Sequence, residues 1–254
     1  LQPRGETRQP PDAVQERRRT TRWWWYPLLV PIVALASFPA WHGPRMWDAD
    51  GHLIPMGLRS AAGLWRIWFN LGTTQQYYPV VYSLFWAQAR LWGDHYIGYH
   101  LISIALHASS AFMTLLILRR LAVPGAALAA VLFALHPVHV ESVAWMSELK
   151  NTASGVFFLG SGLLYLAFDD TRRRPSYVGA LLLYACALLS KSVTATLPAG
   201  LLVVMWWRRG RIEWRRDVAP LLPFFAVGAA AAVMTTWFEQ TFVGAHGSDF
   251  SLTP

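Results

Sequence analysis

A handful of polar side chains in an otherwise apolar chain carry whatever chemistry it can do. Asp48 and Asp50 alternate in Met46-Trp47-Asp48-Ala49-Asp50-Gly51-His52. Alternate side chains of an extended strand point the same way, so the two carboxylates would share a face. Such a pair suits a general base, a divalent-ion site or both, and is equally the composition of an ordinary solvated loop. A second group, His136-Pro137-Val138-His139-Val140-Glu141, is followed shortly by Glu148-Leu149-Lys150-Asn151. His139 and Glu141 are ligand types for a divalent ion and could also hold a substrate hydroxyl, while a plain His–Glu hydrogen bond would use the same two groups. Glu148 and Lys150 are placed to pair with each other. Lys191, in Leu189-Ser190-Lys191-Ser192, is a cation among hydroxyls, suited to a phosphate or to snorkelling towards lipid headgroups. His100 and His107 fall seven apart on one helix face, where interhelical hydrogen bonding is the expected use.

The elements that must position these groups are membrane helices. Of the 254 residues, 54% are hydrophobic and only 14% charged, against about 25% charged in soluble domains. The apolar residues run on for lengths approaching the ~17–25 needed to cross the hydrocarbon as a helix. Seven spans are expected, at about 23–40, 97–118, 124–135, 152–168, 177–189, 193–207 and 218–238. Trp23, Trp24, Trp25 and Tyr26 open the first as an interfacial girdle. That segment is too long and too aromatic at its start for a cleaved signal peptide.

Charge gives the orientation. The formal net charge is +8, but the arginines sit at the ends of apolar runs rather than in a stripe, which argues against nucleic acid and for the lipid bilayer as partner. With the N-terminus inside, 16 of the 22 Lys and Arg residues fall on the cytoplasmic side, as the positive-inside rule requires. Residues 1–22, polar and arginine-rich, then form a disordered cytoplasmic tail. The long loop from about 41 to 96 falls outside. In it Leu58, Ala61, Ala62, Trp65, Trp68 and Phe69 recur at helical offsets, which predicts an amphipathic helix along the interface. Residues 79–92 are apolar but too short to span, and the two stretches together are expected to roof a cavity. The single Cys186 can form no intrachain disulfide. A chain that starts at Leu1 and stops at Pro254 just after an apolar segment is expected to be part of something longer.

Several segments together resemble the membrane domain of the TMTC-like family of protein O-mannosyltransferases and its bacterial TPR-associated relatives. They are WDADGH at 47–52, GLWRIWF at 63–69, QYYPVVYSLFW at 76–86, GYHLISIALHA at 98–108, FALHPVHVESVAWMSELKN at 133–151 and LLSKSVTATLPA at 188–199. HPVHVESVAW is the most specific of these. The resemblance implies an all-α, GT-C-like polytopic membrane module, of which residues 23–254 are the N-terminal part, with further spans and a TPR domain beyond. It implies a polyprenyl-phosphate-linked sugar as donor and a protein acceptor, with inverting transfer of a hexose, mannose first, to a Ser or Thr hydroxyl on the outer face. Carried onto this chain, Asp48 or Asp50 is the base, His136, His139, Glu141, Glu148 and Lys150 shape the substrate pocket, and Lys191 contacts the phosphate. The scheme needs no cofactor, with a divalent metal as the alternative. Relatives commonly have adjacent acids where Ala49 separates them here, and Leu149 stands where the family carries an arginine. The composition suggests a bacterial plasma membrane with the site facing outward. The rival readings are a non-catalytic anchor for a TPR scaffold and a transporter or lipid flippase. A transporter would favour charged or broken helices at mid-membrane.

Overall fold

A computed structural model describes residues 28–39 and 54–243. Among them there is no strand, and the architecture is the all-helical membrane protein that the composition demands. It is consistent with a GT-C-like module. The helices are α1 (Leu29–Ala36), α2 (Ala61–Phe69), α3 (Pro79–Trp92), α4 (Tyr96–Arg120), α5 (Ala126–Leu135), α6 (Val140–Ala144), α7 (Leu149–Thr171), α8 (Arg174–Leu188), α9 (Leu197–Arg209) and α10 (Leu222–Phe238).

All seven segments expected to cross the membrane contain helix. Three helical stretches among the described residues are long and apolar enough to do so unaided: Tyr96–Arg120, Met146–Thr171 and Trp214–Phe242. A fourth qualifies if α5 and the turn-plus-helix Pro137–Ala144, bent from it by 47°, are one broken span. The bend has a local cause, because Pro137 follows His136 and pushes it into an extended conformation at ψ 128°. The remaining segments are shorter because local sequence stops them. α8 begins with Pro175 in its first turn and ends at Leu188, and α9 begins with Pro198 and ends at Gly210, whose φ of 70° suits glycine as a helix stop. Described residues of the first expected span, 28–39, include only the eight-residue α1.

Much of the outer surface is apolar. Val233 is 70% exposed, Leu128 64%, Leu182 62% and Val203 61%, a distribution that makes sense when lipid rather than water covers the bundle. Inside, small residues let helices approach closely. Ala108 and Ala111 of α4 and Ala134 of α5 are buried with Leu29 and Val33 of α1 in one cluster. Tyr165, Tyr184, Leu201 and Phe224 join α7, α8, α9 and α10 in another.

The loop layer differs in register from its sequence pattern. The amphipathic helix starts at Ala61 rather than Leu58, because the Ser60 hydroxyl accepts from the Gly63 amide at 3.1 Å and caps it. Gly63 and Ile67 face the core, while Trp65 and Phe69, with ring centroids 4.0 Å apart, face outward. Gly63 is required there, since a Cβ would run into the Leu58 carbonyl. Residues 79–92 do form a short helix, α3, started by Pro79. Its Val81, Phe85 and Ala89 pack with Ile67 of α2, Tyr99 of α4, and Met146 and Leu149 at the start of α7. The α2–α3 layer therefore sits against the end of the bundle where α7 begins.

Candidate functional site

The start of α7 gathers the polar groups. Glu148 Oε1 lies 3.1 Å from Lys150 Nζ, which makes this carboxylate and ammonium the ion pair expected from their spacing. Both are largely buried, at 13% and 17% exposure. The second carboxylate oxygen, Oε2, accepts from Asn151 Nδ2, and the same amide nitrogen donates to Ser142 Oγ of α6 at 3.0 Å. Asn151 Oδ1 accepts from Lys191 Nζ. One connected chain, Lys150–Glu148–Asn151–Lys191, thus joins α6, α7 and the turn between α8 and α9.

Lys191 is held from its backbone as well. Its amide donates to the Ala187 carbonyl at 2.8 Å, and its carbonyl accepts from Thr194 Oγ1 at 2.7 Å in the tight turn Ser192–Thr196. Tyr78 and Ser192 hydroxyls lie 3.4 Å apart, and the Val80 amide reaches the Leu189 carbonyl at 3.4 Å, so the start of α3 closes over this turn. Burial pushes the Lys191 ammonium below its ordinary lysine pKa, with Lys150 adding to the fall, while Glu148 and Glu141 oppose it. A crevice lined by Tyr77, Tyr78, Leu188, Leu189, Phe238 and Glu239 opens beside the same turn. A wholly apolar groove of about 210 Å³ runs between α4, α7 and α9, past Ile117, Phe158, Gly162, Leu197 and Val204.

The histidines form a separate cluster. The His139 ring packs, tilted, against Phe133 at 4.5 Å and His107 at 4.9 Å, centroid to centroid. His136 Nδ1 accepts from the Val138 amide at 3.2 Å and caps the turn after α5. His107 Nε2 meets the Ala134 carbonyl at 3.1 Å, the interhelical contact expected of it. His100, seven residues away, is buried with neither ring nitrogen hydrogen-bonded among the described residues. Glu141 is exposed on α6, close enough to act on the Lys191 charge. No three His, Cys, Asp or Glu side chains among the described residues converge on a metal-sized space, so His139 and Glu141 find no third ligand there.

Of the predicted site residues, then, Glu148, Lys150 and Lys191 come together, Glu141 stands near them, and His136 and His139 belong to an aromatic cluster next door. Asp48 and Asp50 lie outside the described residues. Asn151 and Ser142, the two residues that link the cluster, carried no role in the sequence reading. Asn151 directly follows Lys150, yet an amide between a lysine and a threonine has no pattern that marks it as a bridge.

The opposite end of α7 carries a second polar assembly that the sequence reading also missed. Asp169 accepts from Arg172 at 2.8 Å, from Arg208 at 3.2 Å and from Arg209. Arg208 continues to Asp170 at 3.0 Å, which pairs with Arg120 at 2.9 Å, and Arg209 continues to the buried Asp217. The ends of α4, α7 and α9 and the turn after α7 are tied to the segment before α10. The signal was present as Asp169-Asp170, separated by Thr171 alone from Arg172-Arg173-Arg174.

Comparison with known proteins adds to the geometry. No family model matches the chain, and no solved structure matches it. Among curated proteins it is 34% identical over 113 residues to "Protein O-mannosyl-transferase Tmtc1" of Drosophila melanogaster, a match covering 43% of this chain and 13% of the relative. It is 33% identical over 129 residues to "Protein O-mannosyl-transferase Tmtc2" of Drosophila melanogaster, covering 47% and 14%. It is 27% identical over 135 residues to "Protein O-mannosyl-transferase TMTC2" of Mus musculus, covering 50% and 16%. The matches span about a seventh of the length of these relatives. Over about half its own length, this helical membrane chain is similar to protein O-mannosyl-transferases of the TMTC type.

Proposed function

We propose that the chain is the N-terminal part of a membrane glycosyltransferase that moves a hexose, mannose first, from a polyprenyl-phosphate carrier to a protein Ser or Thr hydroxyl. The observation that carries the reading is the pair of ammonium groups, Lys150 and Lys191, gathered at one end of an apolar bundle in a chain similar to three named protein O-mannosyl-transferases. Lys150 is paired with Glu148, whereas Lys191 is held by the neutral oxygen of Asn151. An anion arriving from the bilayer would find at Lys191 a cation that no carboxylate among the described residues contacts directly. The apolar groove between α4, α7 and α9 is of the right character for an isoprenoid tail.

In the proposed step the acceptor hydroxyl oxygen attacks the anomeric carbon from the face opposite the phosphate. Its proton passes to the carboxylate of Asp48 or Asp50. The bond from anomeric carbon to phosphate oxygen breaks with its electron pair going to the phosphate, and the Lys191 ammonium stabilises the added charge. Full-length protein in liposomes, given polyprenyl-phosphate mannose and an acceptor protein, is expected to yield a glycosylated hydroxyl whose anomeric configuration is opposite to the donor's. Retained configuration would contradict the single-displacement step.

The same proposal sets an orientation, with the Lys191 end outside and the arginine-rich end cytoplasmic. With Cys186 replaced by alanine, cysteine introduced at the exposed Val138 should react with an impermeant maleimide in intact cells, whereas cysteine at the exposed Arg173 should react only after permeabilisation. The reverse pattern would overturn the orientation.

A further inference from the structure

The amide of Asn151 has its two ends assigned by its neighbours. Its oxygen accepts from the Lys191 ammonium. Its nitrogen donates to Glu148 and, at 3.0 Å, to the Ser142 hydroxyl. Turning the amide over would set an NH2 group against an ammonium and the carbonyl against a carboxylate, so electrostatics fix one orientation. Glu148 is in turn anchored by Lys150.

The choice of an amide matters. A flexible lysine side chain carries rotamer entropy that a bound ligand would otherwise have to overcome. A carboxylate at position 151 would hold the chain in place but would also neutralise it. The amide oxygen holds Lys191 while leaving its unit charge uncancelled, and it engages one of the three ammonium donors. The turn that carries Lys191 is already fixed through Ala187 and Thr194.

We propose that Asn151 is a positioning residue, which aims the Lys191 ammonium at the phosphate of the lipid-linked substrate and keeps its charge available. The inference rests on the donor-phosphate reading of Lys191 given above. It assigns Asn151 no contact with the reacting atoms. It acts through Lys191.

Two consequences separate this role from a purely structural one. First, Asn151→Asp keeps size and shape but adds a charge beside Lys191, so the KM for the polyprenyl-phosphate sugar should rise ~10-fold or more, the equivalent of ~1.4 kcal/mol, with kcat affected less. Second, the pH profile should move. Among the described residues the charged groups acting on Lys191 are Glu148 before α7, Lys150 on α7 and Glu141 on α6, and burial already lowers its pKa. Donor affinity in the wild type should therefore weaken on the alkaline side at lower pH than an ordinary lysine would allow. An adjacent carboxylate favours the ammonium form, so Asn151→Asp should carry that alkaline limb to higher pH.

The test measures donor KM, kcat and their pH dependence in full-length protein in membranes for wild type, Asn151→Asp, Asn151→Leu, Lys191→Met and the double variant Asn151→Asp/Lys191→Met. The expected result is that Lys191→Met raises KM and that position 151 no longer matters once Lys191 is gone, a non-additive cycle. If Lys191→Met raises KM but Asn151→Asp leaves both KM and the alkaline limb in place, or if the two substitutions add, the positioning role is overturned and the phosphate reading survives. A KM indifferent to Lys191→Met overturns the phosphate reading, and the positioning role with it.

Discussion

Asp169→Ala should destabilise the protein by about 3–5 kcal/mol, the cost typical of breaking a buried ion pair by deleting one partner. The carboxylate is 4% exposed and is contacted by three guanidinium groups, those of Arg172, Arg208 and Arg209. Without it, Arg209 is left with Asp217, and Arg172 with the Arg216 carbonyl at 3.3 Å and the face of Phe168 at 5.1 Å. Repulsion among the three cations then acts on the ends of α7 and α9 at once. The neighbouring Asp170 provides the control. It is 35% exposed and pairs with the partly exposed Arg120 and Arg208, so its removal should cost no more than ~1 kcal/mol. Thermal unfolding of the purified protein in detergent compares the two. A midpoint for Asp169→Ala no lower than that for Asp170→Ala would show that the network does not hold the helix ends together.

On the proposed mechanism the largest catalytic effect belongs to the acidic motif. Removing a positioned general base costs on the order of 10²–10⁴-fold in rate, so either Asp48→Asn or Asp50→Asn should reduce transfer by that factor. The loss should appear in kcat rather than in donor KM, because the base acts on the acceptor hydroxyl in the transition state. Ala49 sets the two acids on alternate positions, so one variant is expected to be severely impaired and the other mildly. Undiminished transfer by the double variant would remove both from the mechanism.

The helical membrane architecture was legible because its cause is compositional. Runs of apolar residues ended by arginines can satisfy their backbone in lipid only as helices, and α4 from Tyr96 to the Arg119-Arg120 stop follows that logic closely. The positions of the helices were readable for the same reason. Their exact ends were less so, since Pro137 and Pro198 break segments whose apolar character continues past them. Register in the interfacial layer escaped for a different reason. The period-3.6 pattern at 58–69 marks a helix but does not say which face its neighbours claim, and the packing of Ile67 with Phe85 and Tyr99 decided that.

The candidate site was legible in its charged members and not in its connections. Glu148 and Lys150 are two residues apart and meet as their spacing suggests. Lys191 is 40 residues from Asn151, and only the antiparallel return of α8 along α7 brings them into contact. His136 and His139 stood in the most specific motif, yet their rings go to Phe133, His107 and a turn cap rather than to the lysine cluster. The arginine cluster was read only as a topology signal, and the acids Asp169, Asp170 and Asp217 that make it a clamp were passed over.

The most direct test follows a labelled sugar from its lipid carrier. Membranes containing the full-length protein would be incubated with radiolabelled polyprenyl-phosphate mannose, alongside matched membranes in which Asp48 and Asp50 are both asparagine. Label appearing on a protein Ser or Thr in the first and not in the second, with both proteins folded, is the predicted outcome. Wild-type protein that transfers neither mannose nor any other hexose from such a carrier would contradict the glycosyltransferase assignment.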